Sequence, residues 1–210
     1  MVGKGVLLEC LDSPHIEKVL VINRGHLDLG HPKLEEILLA DFTRVANISN
    51  SLQGYDALFH CMGVSVVGLN EMNYSNIIYK PTQAFADVLY GLNPGMVVNF
   101  VSGAGTDSSE TGRVMWARIK GRAENAIFKK GFKDAYAFRA GLIIPEKGIK
   151  SKTIYYNAVY VMLRPFFALM KKSKNITTTT KIGQAMINTL RFPQAKKILE
   201  NCDINQLAAK

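Results

Sequence analysis

Met96–Ser102 reads MVVNFVS, a run that is apolar but for Asn99 before the closing Ser102 and that shows no alternation with polar residues. A short run of this kind marks a strand buried on both faces, and such strands belong to parallel sheets. Four more stretches repeat the pattern: Lys18–Asn23 (KVLVIN), Glu36–Ala40 (EILLA), Asp56–Cys61 (DALFHC) and Tyr136–Ile144 (YAFRAGLII). Between them lie Val2–Leu11, Thr43–Leu52, Asn73–Leu92 and Thr111–Lys130, which are longer, mixed in polarity and helix-compatible. The order α-β-β-α-β-α-β-α-β predicts an α/β fold with a doubly wound parallel sheet and helices on both faces. Residues 145–152 (PEKGIKSK) break the alternation. They divide the chain into a nucleotide-binding unit, 1–144, and a small C-terminal helical cap, 145–210, packed on the same domain.

The chain has 210 residues, 48% of them hydrophobic and 20% charged, with mean hydropathy +0.04. That is enough apolar material for a sizeable core, and it excludes disordered, collagen-like and coiled-coil classes. The opening residues carry neither the basic stretch nor the long apolar run of a secretory signal. Cys10, Cys61 and Cys202 are an odd number without a C-x-x-C pair, so a cytoplasmic, reducing compartment is expected. His15, His26, His31 and His60 lack metal-ligand spacing, and no metal site is predicted. Thr153–Met170 is the most apolar long run, but Asn157 and Arg164-Pro165 interrupt it and it falls short of the roughly 20 residues of a membrane span. A cap helix over a substrate cleft or plain core is its expected role, with peripheral membrane contact as the alternative.

Charge is divided unevenly. Residues 1–110 hold 6 Lys and Arg against 12 Asp and Glu, whereas residues 111–210 hold 20 against 5, giving −6 and +15. A positive half of this size attracts phosphorylated ligands, nucleic acid or anionic membranes. No helix-turn-helix pattern and no basic motif interleaved with aromatics accompanies it, so no specific nucleic-acid partner is expected and a small-molecule substrate is.

Gly3 and Gly5 precede the apolar stripe Val6, Leu7, Cys10 and Leu11, as the last glycines of a phosphate-binding turn precede their helix. About 20 residues further on, the tip of the next strand is where an acid selects NAD and an Arg accommodates the 2′-phosphate of NADP. Asn23-Arg24 stands there, which favours NADP over NAD. Asp41 could accept a hydrogen bond from an adenine amine or cap the helix beginning near Thr43. Gly63 would let the backbone pass close beneath a bound cofactor.

Together, Asp41-Phe42, Cys61-Met62-Gly63, the Ser102-Gly103-Ala104-Gly105 turn, Lys120-Gly121 and Phe138-Arg139-Ala140-Gly141 occur in the order seen in atypical short-chain dehydrogenase/reductases. Over nearly its whole length the chain resembles the bacterial NAD-dependent epimerase/dehydratase-like branch, which is similar to the Tat-interacting tumour-suppressor proteins. The resemblance implies a Rossmann-type fold opening with a β-strand and a G-x-x-G-x-x-G turn, of which Gly3 matches the third glycine. The first strand is then missing, about ten further residues are expected upstream, and the chain as it stands should bind cofactor poorly. Five buried apolar side chains at roughly 2 kcal/mol each, about 10 kcal/mol in all, would go with that strand.

The resemblance also implies cofactor contacts from Gly3, Asn23, Arg24, Asp41, Phe42, Cys61, Met62, Gly63, Lys120, Arg139 and Gly141. Family members use Ser, Tyr and a Lys four residues after the Tyr. Ser102 matches the Ser, and Trp116-Ala117-Arg118-Ile119-Lys120 occupies the Y-x-x-x-K place. Ser102 and Lys120 are therefore the catalytic candidates. Trp116 replaces the phenol with an indole N–H that donates only and does not titrate near neutral pH. Tyr74, Tyr79, Ser108 and Ser109 are candidates for the lost hydroxyl, and Ile143 and Ile144, with the Thr153–Met170 run, for a substrate pocket. Two functions are expected on this basis: an NAD(P)-dependent oxidoreductase or epimerase-like enzyme acting on a carbonyl or sugar-nucleotide, and a non-catalytic NADP(H)-sensing or interaction protein.

Overall fold

The structure, a computed structural model, describes residues 1–149, 167–170 and 173–210. Most of the Thr153–Met170 run therefore lies outside the described residues. Helix α1 (Val2–Asp12) comes first, followed by strands β1 (Val19–Asn23) and β2 (Leu34–Leu38). A 3₁₀ segment, Phe42–Leu52, leads to β3 (Ala57–His60). Next come α2 (Glu71–Leu92), β4 (Val97–Gly103), α3 (Met115–Phe128), β5 (Asp134–Ala140) and β6 (Leu142–Ile144). The rest is a short helix α4 (Phe167–Met170), β7 (Ile176–Thr178), α5 (Thr179–Arg191), β8 (Ile198–Glu200) and α6 (Asn201–Ala208).

Every ladder is parallel. The main sheet has the order β3-β4-β5-β8, while β1 pairs with β2 and β6 with β7 in sheets of their own. β4 is buried from Val97 to Ser102, as the unalternating MVVNFVS run predicts. One face of the sheets packs on α1 and α5 through Val6, Cys10, Ile182, Met186, Tyr136 and Phe138. The opposite face packs on α2 and α3 through Ile78, Phe85, Leu89, Val98, Phe100 and Ala123. The doubly wound α/β arrangement with helices on both faces is therefore the observed one.

Several boundaries differ from the expected ones, each for a local reason. The second strand sits at Leu34–Leu38, where its register against Val19–Asn23 is fixed, rather than at Glu36–Ala40. The Thr43–Leu52 stretch forms 3₁₀ turns kinked at Arg44 and Ile48; Asp41 caps it by accepting from the Thr43 N–H at 2.9 Å. The YAFRAGLII run splits at Gly141, whose N–H donates to Asn201 Oδ1 at 3.1 Å. The third helix begins at Met115 rather than Thr111, because Asp107 gathers Ser109 and Gly112 into a turn ahead of it. Beyond Ile176 the chain does more than cover the domain: β8 extends the main sheet beside β5, and α5 covers the sheet on the same face as α1, beside it.

Close helix contacts explain two glycines. A methyl at Gly5 would stand 2.6 Å from Thr179 Cβ, so α1 reaches α5 only because that side chain is missing. Gly183 answers it from α5, facing Glu9 and Val6 in the same way. No described helix is long and apolar enough to cross a membrane, and no group of three or more His, Cys, Asp or Glu among the described residues could hold a metal.

Candidate active site

β4 ends in Ser102-Gly103, and α3 returns across that end, so the site is built from one strand tip and one helix face. The Ser102 and Thr106 hydroxyls lie 2.8 Å apart, and Thr106 donates to the Gly103 carbonyl at 2.7 Å. That bond uses the Thr106 hydrogen, so Ser102 is the donor to Thr106 and its own lone pairs stay open. Trp116 spreads over the turn: a methyl at Gly103 would lie 3.6 Å from its ring, and one at Gly105 3.8 Å away. The glycines of this turn make room for the indole.

One turn further along α3, the Lys120 ammonium points inward. It donates to the Val101 carbonyl at 3.4 Å and lies 6.0 Å from the centre of the Phe100 ring. Among the described residues no carboxylate pairs with it, and burial pushes its pKa down from 10.5 to about 8, against a smaller upward pull from Glu124. Glu124 is engaged elsewhere, in a buried ion pair with Arg139 at 2.6 Å. Arg139 also donates to Ser108 Oγ, which holds that side chain beside the ion pair. Beside Phe100 lies His60, whose ring centre is 5.2 Å away. Thr82 gives its hydrogen to the Ile78 carbonyl, so His60 Nε2 is the donor to Thr82, and among the described residues its buried Nδ1 has no partner. Burial holds this imidazole neutral, with a pKa lowered from 6.5 to about 4.

The remaining predicted residues fall into two groups. Gly3 and Cys61 are brought together: a methyl at Gly3 would lie 3.2 Å from Cys61 Cβ, which places the start of α1 over the carboxyl end of β3. Among the described residues no side chain caps α1, and its first turn holds no acid to offset the positive end of the helix. Met62 and Gly63 follow Cys61 beyond β3, and no described residue stands within 4 Å of the place a Gly63 side chain would take. Asn23 and Arg24 end β1, with the guanidinium 5.9 Å from the Phe42 ring centre. Gly141 sits beyond the end of β5, next to Asn201 and Ala104. The Asp41 carboxylate is held by the Thr43 N–H and hydroxyl, which lowers its pKa.

Of the substitute hydroxyls, that of Tyr74 belongs to a side chain of α2 buried in the core, the Tyr79 ring carries the Arg122 guanidinium 4.1 Å from its centre, and Ser109 donates to Asp107 Oδ1. Ile144 is buried. Sequence reasoning missed Thr106 and Thr82, whose hydroxyls are defined only by what folds next to them. A hollow of about 680 Å³ lies at the opposite end of the sheet, between Phe132 and Lys197. Parallel sheets bind ligands at their carboxyl ends, so that hollow is not the candidate site.

No family model matches the sequence, and no curated protein matches it. Solved structures do match the fold. The Bordetella bronchiseptica enzyme WbmH in complex with NAD+ has TM-score 0.67 at 12% identity, over 95% of this chain and 71% of that one. ADP-L-glycero-D-manno-heptose-6-epimerase of Helicobacter pylori has TM-score 0.67 at 14% identity, over 95% and 72%. UDP-N-acetylglucosamine 4-epimerase of Methanobrevibacter ruminantium, in complex with UDP-N-acetylmuramic acid, has TM-score 0.68 at 15% identity, over 95% and 72%. At these identities the likeness is one of fold: a Rossmann-like α/β architecture.

Proposed function

We propose that the chain binds a nicotinamide dinucleotide across the carboxyl ends of β1, β3 and β4 and acts as an oxidoreductase or epimerase-like protein on a carbonyl or sugar-nucleotide. The observation that carries this reading is Lys120, a half-buried ammonium with no carboxylate partner among the described residues, set one strand residue from the Ser102 hydroxyl. An unpaired cation in such a place costs stability, which a protein retains for a ligand rather than for the fold. The fold neighbours solved with NAD and nucleotide-sugars support the same ligand class.

The residues fit such a cofactor. The first turn of α1, which holds no acid and brings Gly3 against Cys61, would hold the pyrophosphate. Asn23 and Arg24 would face the adenosine ribose, with Arg24 reading a 2′-phosphate; Asp41 and Phe42 would face the adenine. Cys61, Met62 and Gly63 would pass beneath the cofactor, and the backbone at Arg139 and Gly141 would border the nicotinamide, whose ribose Lys120 would hold. When bound, the cofactor supplies hydride chemistry. This chain's part is to offer the Ser102 oxygen, held by Thr106, as an acceptor to a substrate hydroxyl, and to exclude water with Trp116.

Trp116 favours a second reading, in which cofactor is bound without turnover, because an indole cannot pass the proton that a phenol passes. NADPH oxidation against a panel of aldehydes, ketones and nucleotide-sugars separates the two: turnover with any member supports the enzyme, and binding without turnover supports the sensor. Trp116→Tyr sharpens the comparison, since a gain in rate identifies a site that lost its phenol. A loss identifies different chemistry.

A further inference from the structure

The main sheet has a second concave end, opposite the candidate active site. There Phe128 closes α3, Asp134 opens β5 and Lys197 precedes Ile198, the first residue of β8. With Phe132, Lys133, Ala135 and Lys196 they line a hollow of about 680 Å³, inside the range of roughly 300–1,000 Å³ found for small-molecule sites. The length of β5, Asp134–Ala140, separates it from the carboxyl end by about 20 Å at the rise of an extended strand. Its floor is apolar. Phe132 is buried and packs edge-on against Tyr90, with ring centres 5.4 Å apart, and Phe128, Ala135 and Ile198 are half-buried around it.

The rim is cationic. Lys133, Lys196 and Lys197 bring three ammonium groups to the hollow against one carboxylate, Asp134. That carboxylate is turned to the protein: Oδ1 accepts from the Ala135 N–H at 2.9 Å and from Lys197 at 2.7 Å, and Oδ2 accepts from the Tyr136 hydroxyl. The lysines are not used up in the same way, because each ammonium carries three hydrogens. Lys197 gives one to Asp134 and one to the Gln194 carbonyl, and Lys196 gives one to Asp203 at 2.5 Å. Among the described residues no carboxylate pairs with the exposed Lys133. The surplus positive charge of residues 111–210 therefore has one place where it borders an apolar hollow.

We propose that this hollow binds a free amphiphilic anion, a medium-length alkyl chain carrying a carboxylate or sulfate head. The tail covers Phe128, Phe132, Ala135 and Ile198, and the head meets Lys133 and the spare hydrogens of Lys196 and Lys197. Each half of the ligand follows from one half of the site. A polyanion would use the ammonium groups and leave the floor in water, whereas an uncharged hydrocarbon would cover the floor and leave the cations unmet. The head is not selected by shape. An ammonium is a compact point charge with rotatable donors, and among the described lining residues there is no guanidinium fork to demand a planar partner. The site lies at the far end of β5 from Ser102 and Lys120, so both can be filled at once, and the inference is independent of the cofactor reading.

The test titrates the chain with sodium octanoate, octyl sulfate, 1-octanol and inorganic phosphate, and follows the backbone amides by NMR. Octanoate and octyl sulfate should bind saturably, with Kd values within about threefold of each other, shifting Phe132, Lys133, Ala135 and Ile198 together and leaving Gly63 and Ser102 unmoved. Octanol and phosphate should each bind at least about fivefold more weakly. Lys133→Glu should weaken octanoate by about threefold or more and leave octanol unchanged. Octanol binding as tightly as octanoate, phosphate alone producing the same shifts, or octanoate shifts centred on Ser102 and Lys120 would overturn the proposal. So would co-sedimentation with vesicles of phosphatidylglycerol and phosphatidylcholine while the four amides ignore octanoate, a result that assigns this face to a membrane surface.

Discussion

Gly121 of α3 lies flat against the Asp107 carbonyl, so close that a methyl on Gly121 would stand 1.7 Å from that oxygen. The contact clamps the loop after β4 onto the helix that carries Trp116 and Lys120. It also gives the Lys120-Gly121 pair a physical meaning: one residue supplies the cation, and the next lets the Ser102–Asp107 turn reach it.

Gly121→Ala should therefore destabilise the protein by about 2 kcal/mol or more and displace the loop, because backbone cannot give way as a flexible side chain can. Urea unfolding measures the loss. The Trp116 fluorescence should shift in the folded variant, since its ring rests on Gly103 and Gly105 of the same turn.

Lys120→Met should raise stability. Burial lowers the folded-state pKa of the ammonium from 10.5 to about 8, so the unfolded chain binds the proton more tightly. The cost is full below pH 8 and fades as pH rises towards 10.5, amounting to about 2 kcal/mol at pH 7 once its half-buried position is allowed for. Chemical denaturation of both proteins at pH 7 and pH 10 checks the sign: the variant's advantage should shrink at the higher pH.

His60 should govern an acid-side loss. Its folded pKa, about 4, lies below the unfolded 6.5, so the unfolded state gains the proton first as pH falls. Stability contributed by the neutral imidazole is present above pH 6.5 and is lost between 6.5 and 4, by up to about 3 kcal/mol. In His60→Phe, which can pack between Phe85 and Phe100, the slope of unfolding free energy against pH should flatten across that window.

Arg139→Leu should cost about 3 to 5 kcal/mol, because it strands the Glu124 carboxylate, whose side chain is 0% exposed. Arg139→Leu with Glu124→Leu should recover most of the loss, measured as a double-mutant cycle.

The parallel, two-faced character of the fold was legible in MVVNFVS and its companions, where burial on both sides leaves no polar alternation. The Ser102 and Lys120 candidates came instead from the family resemblance, and the fold sets the helix that bears Lys120 against the end of that strand. What escaped was tertiary. Ile198–Glu200 is three residues long and reads as a strand only because β5 offers it an edge. Gly5 reads as a phosphate-loop glycine but also makes room for Thr179 from the far end of the chain. Arg139 reads as a cofactor neighbour, and Glu124, fifteen residues earlier, holds its guanidinium.

NMR titration of the chain with NADP+ and with NAD+ tests the central claim most directly. The account predicts weak, saturable binding, with a Kd on the order of 1 mM, and shifts that move together at Gly3, Gly63, Ser102 and Lys120 and vanish in the folded Lys120→Met variant. A tighter response to NADP+ that Arg24→Ser abolishes would place the 2′-phosphate at the tip of β1. No saturating shift at these residues, or shifts confined to the lysines of the basic half, would contradict the account.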